Sequence, residues 1–465
     1  MHVLGAGMAS PDNVESPSAL TELQKRFCLI DLGGEIRVVD RKQVKRVLKG
    51  KEDSDVAFYK RQDGVLLMKR RLESLPISCK PKDVIDDFLV HPDTHIYNKI
   101  AFNPQKQPDT TLNYWCGNTA APSPGECKSI GQYLLKVICN GDKDVCNYLL
   151  KYLAHMIQRP QEKPGIMLVL LGGQGTGKGV FFQLLRAIWG RTTLQVSDID
   201  QVIGRFNAAL ERNYLICMDE ALFSGDRRSL DRLKSLITEP WIQVEQKYQP
   251  SRSMESVHRF FAASNHDHFA HIERDDRRFL FLRLSNKRQR DTSYFSQLCK
   301  AIEDPTVVGA FVDYLLELNI SNFNVRDRPE THEHAQQKLL SLDGFDRYWF
   351  EVLTTGDFNA GRINIDKWVE SVFIPTSRLV DKYRDFDRNA ERHRTIQESH
   401  VSTAIRRLCP SAKPKRKMYQ QHGVGPKQQK RGFQLPDIKQ ARSDFEAYVG
   451  CQIEWDDGDA AERAA

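Results

Sequence analysis

The chain has 465 residues, of which 40% are hydrophobic and 28% are charged, so it has room for about three domains with an ample apolar core. No segment is apolar for long enough to span a bilayer, and the N-terminus lacks the basic and apolar regions of a secretion signal. The ten cysteines show no Cys-x-x-Cys spacing, which disfavours a zinc site. We therefore expect a protein of the cytoplasm that has no membrane partner.

The first third of the chain is predicted to contain three parts. Residues 1–20 are rich in Ser, Pro, Gly and Asn, and we expect them to be disordered. Residues 21–125 form a predicted α/β region, in which Leu32-Gly33-Gly34 is the turn of a hairpin between two apolar runs. Residues 126–160 have the apolar spacing of helices, with a break at Gly141-Asp142.

The strongest signal lies in the next predicted unit, residues 161–325. An apolar run predicts a buried strand, and helical spacing follows it within a few residues. Between them stands a loop with the pattern G-x-x-x-x-G-K: Gly172, Gly173, Gln174, Gly175, Thr176, Gly177 and Lys178. Backbone N–H groups of such a loop surround phosphate, and the lysine reaches the outer phosphates. We predict that the loop binds ATP; the alternative is a glycine-rich turn that binds nothing.

The residue after Lys178 departs from the usual pattern. A Ser or Thr hydroxyl normally ligates Mg²⁺ at this position, but the chain has Gly179, which we still count among the nucleotide-binding residues. The metal is then expected to depend on phosphate oxygens, water and an acidic residue elsewhere. Thr176, inside the loop, is a candidate for the missing hydroxyl.

A second predicted strand ends in the acidic pair Asp219 and Glu220. Ligands bind at the carboxyl ends of strands in open α/β sheets, and hydrolysis of a triphosphate needs one acid for Mg²⁺ and one for water. We predict that Asp219 binds Mg²⁺ and that Glu220 polarises the attacking water. In the alternative, the pair begins the next helix.

Two further groups complete the predicted site. Asn265 ends a third apolar strand and suits a sensor of the γ-phosphate or of the attacking water, although a turn-forming Asn is the alternative. Arg277 or Arg278, in a charged loop before a fourth strand, could reach the nucleotide site of a neighbouring subunit as an arginine finger. In the alternative, ion pairs of Arg274 with neighbouring aspartates close that loop.

Residues 326–465 are predicted to form a helical, winged-helix-like, DNA-binding module. Its distinctive feature is the stretch from Val401 to Pro436, which has nine basic residues and no acidic ones. Arg406 and Arg407 lie on a predicted helix, while Pro and Gly indicate that much of the remainder is loop. This remainder could form a basic wing along a phosphate backbone, or a solvated loop.

The order of phosphate loop, acidic pair, hairpin, strand ending in Asn, and Asp276-Arg277-Arg278-Phe279 resembles the superfamily 3 helicases. It is most similar to the primase–helicase type of phages and prophages, and the likeness covers about residues 130–285. The resemblance implies a hairpin from Ile242 to His258 that carries Lys247 into the channel of a ring, with Arg252 near its tip. Both would contact the phosphates of single-stranded DNA. It also implies that Arg277 is the better aligned finger and that the helices of residues 126–160 assist ring formation.

The predicted fold is α/β. It has an AAA+-like P-loop core, whose parallel sheet is flanked by helices, between the N-terminal α/β region and the C-terminal module. The predicted function is an ATP- and Mg²⁺-dependent DNA helicase or translocase of phage or prophage replication. We expect it to act as a homo-hexamer on single-stranded or forked DNA in a bacterial host, with a primase or other replisome proteins as candidate partners. The alternatives are a DNA-stimulated ATPase that loads or remodels replication proteins, and a DNA-binding factor that nucleotide stabilises.

Overall fold

A computed structural model describes residues 18–49, 56–220, 227–246, 251–359, 368–387, 397–420 and 426–455. The N-terminal unit consists of α1 (Ala19–Arg26), β1 (Phe27–Asp31), β2 (Ile36–Asp40), α2 (Arg41–Leu48), β3 (Phe58–Tyr59), α3 (Arg61–Glu73), α4 (Pro81–Val90) and β4 (Ile96–Tyr97). Its strands form one sheet in the order β3-β2-β1-β4, with β1 and β2 antiparallel. The predicted hairpin turn is confirmed, and its Gly33 and Gly34 have positive φ angles of 70° and 93°. Helix α1 begins inside the segment predicted to be disordered, because the side chain of Ser18 caps it by accepting from Thr21 N; residues 1–17 lie outside the described part.

A short parallel pair and a broken helix lead into the central unit. The elements are β5 (Lys99–Ala101), β6 (Thr111–Asn113), α5 (Lys128–Tyr133), a π-helical turn (Leu134–Ile138) and α6 (Lys143–Gln158). The predicted break is confirmed: Gly141 has a φ of +88°, and the side chain of Asp142 accepts hydrogen bonds from Asp144 N and Val145 N. An aspartate in this position satisfies the first N–H groups of the new helix.

The central unit is built on a parallel sheet. Its elements are β7 (Met167–Leu171), α7 (Lys178–Trp189), β8 (Thr193–Val196), α8 (Asp200–Ile203), β9 (Leu215–Met218), α9 (Arg227–Thr238), β10 (Trp241–Val244), β11 (Arg252–Glu255), β12 (Arg259–Ser264) and β13 (Phe279–Arg283), with 3₁₀ turns at Gly190–Thr192, Ala208–Arg212 and Asn286–Arg288. Five strands pair in the order β13-β7-β12-β9-β8, and β10 and β11 form a separate antiparallel hairpin. The prediction of an α/β fold with a parallel sheet flanked by helices is confirmed.

The sequence explains why this sheet is the centre of the molecule. Strands β7, β9 and β12 are buried along their whole length. A strand covered on both faces reads as a continuous apolar run rather than an alternating one, as these strands do. Helix α7 buries Phe181, Leu184 and Ile188, while α6 places the Tyr152 ring 6.2 Å from that of Phe261 in β12.

The remaining helices and a second sheet follow β13. The elements are α10 (Thr292–Glu303), α11 (Pro305–Glu317), α12 (His332–Leu340), α13 (Gly344–Thr355), β14 (Val372–Pro375), α14 (Thr376–Phe386), α15 (Glu398–Leu408), β15 (Lys413–Tyr419), β16 (Gln428–Leu435) and α16 (Ile438–Val449). The three strands are antiparallel in the order β14-β16-β15. Helices α13 to α16 enclose their own apolar core with this sheet, around Trp349, Leu379 and Phe433.

The basic stretch near the C-terminus is more regular than predicted. Arg406 and Arg407 lie on α15, as expected. The prediction that much of the remainder is loop does not hold for residues 413–419, which pair with residues 428–434. Pro414 is compatible with this pairing since β15 is an edge strand, where a missing N–H is tolerated. Separately, among the described residues, no helix combines the length and the apolar character needed to cross a membrane.

Candidate nucleotide site

The register of the central sheet brings the predicted residues together. Strand β12 lies between β7 and β9, with Ser264 opposite Leu171 and Ala262 opposite Met218. The residues that follow these three parallel strands therefore share one edge of the sheet. They line a cavity of about 440 Å³: Gln174, Gly175, Thr176, Gly177, Lys178, Gly179, Val180, Gln183, Asp219, Glu220, Ala263, Ser264, Asn265 and Phe295.

Lys178 connects the loop to the neighbouring strand through its side chain. Its Nζ donates to the carbonyl oxygens of Gly172 and Gly173, the latter at 2.9 Å, and to Oδ1 of Asn265 at 2.7 Å. Burial lowers the pKa of the Lys178 ammonium, and the nearby carboxylates of Asp219 and Glu220 act in the opposite direction. All three N–H groups of the Lys178 ammonium are therefore engaged. A phosphate that accepts a hydrogen bond from Lys178 must replace the bond to one of the loop carbonyls or to Asn265.

The conformation of the loop requires glycine at two positions, and side chains of Thr176 and Tyr133 hold it by hydrogen bonds. Gly175 and Gly177 have φ angles of +76° and +101°, a region that side chains disfavour. Thr176 is 1% exposed, and its hydroxyl donates to the Gly173 carbonyl at 2.8 Å. The hydroxyl of Tyr133, from α5, donates to the carbonyl of Gly177 at 2.9 Å. These contacts hold the loop carbonyls inward and leave the N-terminus of α7 open to the cavity.

Neither residue of the acidic pair lies in a helix of the described part. Glu220 has a φ of +54°, which no residue of a right-handed helix adopts, and α9 is described from Arg227. Asp219 Oδ2 accepts a hydrogen bond from Nε2 of Gln195 at 3.1 Å, which fixes the carboxylate at the cavity wall. The side chain of Glu220 is exposed and lines the same cavity as Lys178.

The donor set fits Mg²⁺. This ion keeps several waters and uses one or two carboxylates together with substrate phosphates, and Asp219 and Glu220 offer such carboxylates. The hydroxyl of Thr176 already donates to a loop carbonyl. A Cβ atom added to Gly179 would have no neighbouring atom within 4 Å. A hydroxyl-bearing side chain at residue 179 would therefore fit without a clash.

A contact region that the sequence did not reveal follows β13. Arg290 N donates to the Gly175 carbonyl at 2.9 Å, and Nε2 of Gln289 donates to the Gln174 carbonyl at 3.0 Å. A Cβ atom on Gly177 would lie 2.6 Å from Cε1 of Phe295, so the last glycine of the loop is needed for close packing as well as for its backbone angle. No sequence motif marks residues 289–295, because their role depends on contacts with a loop more than a hundred residues away.

A second cavity adjoins the first along α7. It has a volume of about 850 Å³ and shares Gln183 with the phosphate-loop cavity. Its walls are residues 119–123, the α7 residues Arg186 and Ala187, and the facing side of α10 and α11 from Cys299 to Val308. Gln183 lies five residues beyond Lys178, or about 7.5 Å along a helix axis. The second cavity thus begins where the first one ends along α7, and its lining is mainly apolar.

The hairpin of the predicted DNA site is present, but its tip is not described. Strands β10 and β11 pair as predicted, with Val244 opposite Arg252, and Lys247 lies outside the described residues. Arg252 donates through Nε and Nη2 to both carboxylate oxygens of Glu211, each at 2.7 Å. Its guanidinium is therefore engaged within the stem, and its contact with DNA stays a prediction.

Two further groups hold the hairpin in place. Lys163 Nζ donates to the carbonyls of Leu236 and Glu239, at 2.7 and 2.6 Å, and to Oγ of Ser256 at the base of β11. On the other side, Asn207 exchanges hydrogen bonds with the backbone of Gln243 and Glu245, both at 2.9 Å. The preceding residue, Phe206, is 48% exposed beside the hairpin stem.

The predicted finger residues lie at the opposite edge of the sheet. Arg278 O accepts from Met167 N, at the start of β7, and β7 and β13 run parallel. Five residues of strand, or about 17 Å, separate this edge from the loop of the same chain. Arg278 pairs with the buried Asp276 at 3.3 Å, while Arg277 is exposed. The alternative ion pairs of Arg274 are replaced by a contact with the ring of Tyr448, 5.2 Å from the guanidinium carbon.

Comparisons with known proteins cover different parts of the chain. Residues 170–278 match a family of unknown function, DUF5906. The DNA primase-polymerase of Nitratiruptor phage NrS-1 is 26% identical over 167 residues, which are 35% of this chain and 23% of that protein. The match therefore spans less than a quarter of the primase-polymerase.

Solved structures extend the likeness in fold to most of the chain. An apo structure titled "NrS-1 C terminal region (305-718)" has a TM-score of 0.60 at 16% identity and covers 90% of this chain and 100% of that one. The A form of the same region has a TM-score of 0.57 at 15% identity and covers 89% and 97%. The chain is thus similar in sequence to part of a phage DNA primase-polymerase and similar in fold to the C-terminal region of NrS-1.

Proposed function

We propose that the chain is an ATP-hydrolysing motor of phage or prophage DNA replication, which moves along single-stranded DNA as a ring and separates the strands ahead of it. The observation that carries the proposal is the convergence of a lysine, two carboxylates and an amide at one cavity. They come from the ends of three neighbouring strands. The acidic strand β9 is separated from the phosphate-loop strand β7 by β12, the strand that ends before Asn265.

The chemistry follows from the positions of these groups. Loop N–H groups and Lys178 would bind the outer phosphates, Asp219 would hold Mg²⁺, and Glu220 would orient the attacking water. The ion, when bound, neutralises charge that develops on the phosphate oxygens. Asn265, which now accepts from Lys178, turns to the γ-phosphate when the lysine does. The second cavity receives the base and ribose, because it is mainly apolar and shares Gln183 with the first.

The hairpin supplies the contact with DNA. It stands in the chain between the acidic strand β9 and the Asn265 strand β12, so a change at the nucleotide is transmitted to its base. Lys247 grips the phosphates of one strand, assisted by Arg252 when it is released from Glu211. The half-exposed ring of Phe206, which lies 5.7 Å from the guanidinium carbon of Arg205, adds a surface against which a base stacks. None of these contacts reads the sequence of the DNA.

A ring completes the site. Arg277 and Arg278 cannot reach the phosphate loop of their own chain, since the sheet lies between them. In a ring, the exposed Arg277 enters the neighbouring subunit's site, and Arg278 keeps the loop in shape through Asp276. A homo-hexamer satisfies this geometry. The similarity to part of a DNA primase-polymerase supports a role in replication and a primase as partner.

Two assays on the purified chain test the proposal. Phosphate release from ATP, with and without single-stranded DNA, measures the motor, and a labelled forked duplex measures strand separation. Lys178→Met is the matched control, which we expect to abolish both. DNA-stimulated hydrolysis without unwinding would favour a loader of replication proteins. Absence of hydrolysis would favour a nucleotide-stabilised DNA-binding factor, for which Gly179 at the magnesium position is the specific argument.

A further inference from the structure

The hairpin of β15 and β16 carries an unusual concentration of positive charge. Seven exposed cations lie on it or beside it, and none forms an ion pair with any residue that the structure describes: Lys413, Lys415, Arg416, Lys417, Lys427, Lys430 and Arg431. The surrounding stretch contains no acidic residue. Charge of one sign that the protein itself leaves uncompensated is the footprint of a polyanion site.

The strand register places like charges directly opposite each other. Lys417 faces Lys430, and Arg416 faces Arg431. Like charges at opposed positions destabilise a sheet. Because side chains alternate along a strand, the first pair lies on one face of the hairpin together with Lys415, and the arginines lie on the other. Both faces thus carry a local cost that an external anion would remove.

Helix α15, which precedes the hairpin, presents a complementary surface. One side buries Val401, Ile405 and Leu408. The other side exposes Ser399, Thr403 and Arg406, which are spaced by four and three residues and so form one stripe. Arg406 makes no ion pair with a described residue, whereas the adjacent Arg407 is bound to Asp346. Short hydroxyl side chains allow a helix to approach base edges closely, and they donate to bases or phosphates.

The order of elements in this unit favours duplex DNA as the ligand. Helix, strand, two helices and two strands (α13, β14, α14, α15, β15, β16) follow one another as in a winged-helix module. In helix-turn-helix modules of this kind, the last helix enters the major groove. Helix α15 has 11 residues, and the diameter of an α-helix with its side chains, about 10–12 Å, fits a major groove about 12 Å wide.

Other polyanions fit less well. Proteins bind unpaired bases by stacking them on aromatic side chains. The large hydrophobic residues that are exposed in the described part of this unit are Val369 and Met418, and neither is aromatic. A membrane surface would require an apolar face beside the cations, which two isolated residues do not provide.

We propose that the C-terminal unit binds double-stranded DNA, with the exposed stripe of α15 in the major groove and the lysines of the β15–β16 hairpin on the phosphate backbone. This site is separate from the β10–β11 hairpin, which serves the motor. It would keep the protein on the duplex ahead of the fork. It requires neither ATP nor hydrolysis.

The test compares two triple variants of the whole chain. Lys415→Gln, Lys417→Gln and Lys430→Gln together remove charge from one face of the hairpin. The control, Lys69→Gln, Lys80→Gln and Lys82→Gln, removes the same charge from exposed positions of the N-terminal unit. Fluorescence anisotropy measures binding to a labelled duplex and to one of its strands, without nucleotide, at several salt concentrations.

We expect the hairpin variant to bind the duplex at least ten-fold more weakly near 0.1 M salt. The slope of the logarithm of the binding constant against the logarithm of the salt concentration should become less steep by about 2 to 3. Each of the three lost phosphate contacts contributes about 0.9 to this slope. The control variant should bind as the wild type does, and Arg406→Ala should weaken duplex binding further. Single-strand binding and DNA-stimulated phosphate release should persist in both triple variants.

Unchanged duplex affinity in the hairpin variant would overturn the proposal. So would an equal loss of single-strand binding, which would assign the hairpin to the motor, or an equal loss in the control variant, which would indicate a general charge effect. Lys178→Met should keep duplex binding. A failure of the nucleotide site is therefore distinguishable from a failure of this one.

Discussion

Nζ of Lys178 lies 2.7 Å from Oδ1 of Asn265, so one hydrogen bond joins the phosphate loop to the end of β12. At its other end, β12 is connected to the β10–β11 hairpin by residues 256–258. A phosphate that accepted a hydrogen bond from the lysine would release the amide. Under the proposed function, occupancy of the loop would thereby be linked to the strand that leads back to the hairpin.

Replacing Asn265 should separate binding from turnover. We expect Asn265→Ala to leave the dissociation constant for ATP within about three-fold and to lower the rate of phosphate release by about 100-fold, a typical loss for one oriented polar group. Asn265→Asp should instead weaken ATP binding, because a carboxylate would pair with Lys178 and repel phosphate. Calorimetry and phosphate release provide the two readouts. Equal loss of affinity in both variants would contradict a sensing role.

Glu220→Gln should stop hydrolysis without stopping binding. The amide keeps the size of the side chain but cannot accept a proton or polarise water as a carboxylate does, so we expect a decrease of 100-fold or more in turnover. Asp219→Asn should raise the Mg²⁺ concentration needed for half-maximal activity, because it removes the proposed metal ligand. If Glu220→Gln hydrolysed ATP at the wild-type rate, the attacking water would have another partner.

Gly179→Ser should improve the use of Mg²⁺. The position has no neighbouring atom within 4 Å, so the side chain fits, and its hydroxyl would occupy the place of the usual ligand. We expect half-maximal activity at a several-fold lower Mg²⁺ concentration. Gly179→Ala is the matched control, since it adds the same Cβ atom without a hydroxyl. A similar Mg²⁺ dependence in both variants would place the metal elsewhere.

Lys247→Ala should uncouple hydrolysis from strand separation. The residue is remote in sequence from the phosphate loop, so basal phosphate release should stay within about two-fold. Unwinding of a forked duplex and stimulation by single-stranded DNA should be lost together with the phosphate contact. Gln243→Ala, in the stem of the same hairpin, is the control. Full unwinding by Lys247→Ala would exclude the hairpin tip from translocation.

The free energy of unfolding should decrease in mild acid. Burial, assisted by nearby Lys163 and Arg259, lowers the pKa of His258 to about 4, and its ring bonds with Ser256 Oγ and Leu210 O, both at 2.8 Å. Between pH 4 and about pH 6.5, the histidine is protonated in the unfolded chain and neutral in the folded chain. Stability is therefore present above pH 6.5 and is lost as the pH falls, by about 2 kcal/mol at pH 5. Thermal unfolding at pH 7 and 5 measures the change, and His258→Gln should reduce it. An unaltered pH dependence in this variant would show that other groups are responsible.

Much of the site was predictable because it is local in sequence. The strands before Gly172, Asp219 and Asn265 are predicted by continuous apolar runs and the helix from Lys178 by helical apolar spacing, and all four elements are confirmed. Parallel strands share their carboxyl edge, so the meeting of the polar groups follows from the strand assignments alone.

The unpredicted features depend on partners that are distant in the chain. Gln289 and Tyr133 contact the phosphate loop across 115 and 44 residues, and no periodic pattern records such a contact. The pairing of Arg252 with Glu211 has the same cause: an arginine on a hairpin reads as solvent-exposed until its partner is known. In the basic stretch, proline and glycine favoured loop, whereas pairing between two strands supplied the backbone hydrogen bonds.

Pro414 gives the basic hairpin a property beyond ligand binding. Strand β15 is the outer strand of its sheet, and an outer strand is a template for unwanted pairing with other chains. Proline withholds one donor from such a neighbour, and the flanking lysines repel a second copy of the same strand. The hairpin should thus resist self-association at high protein concentration, provided that substitutions there stay polar.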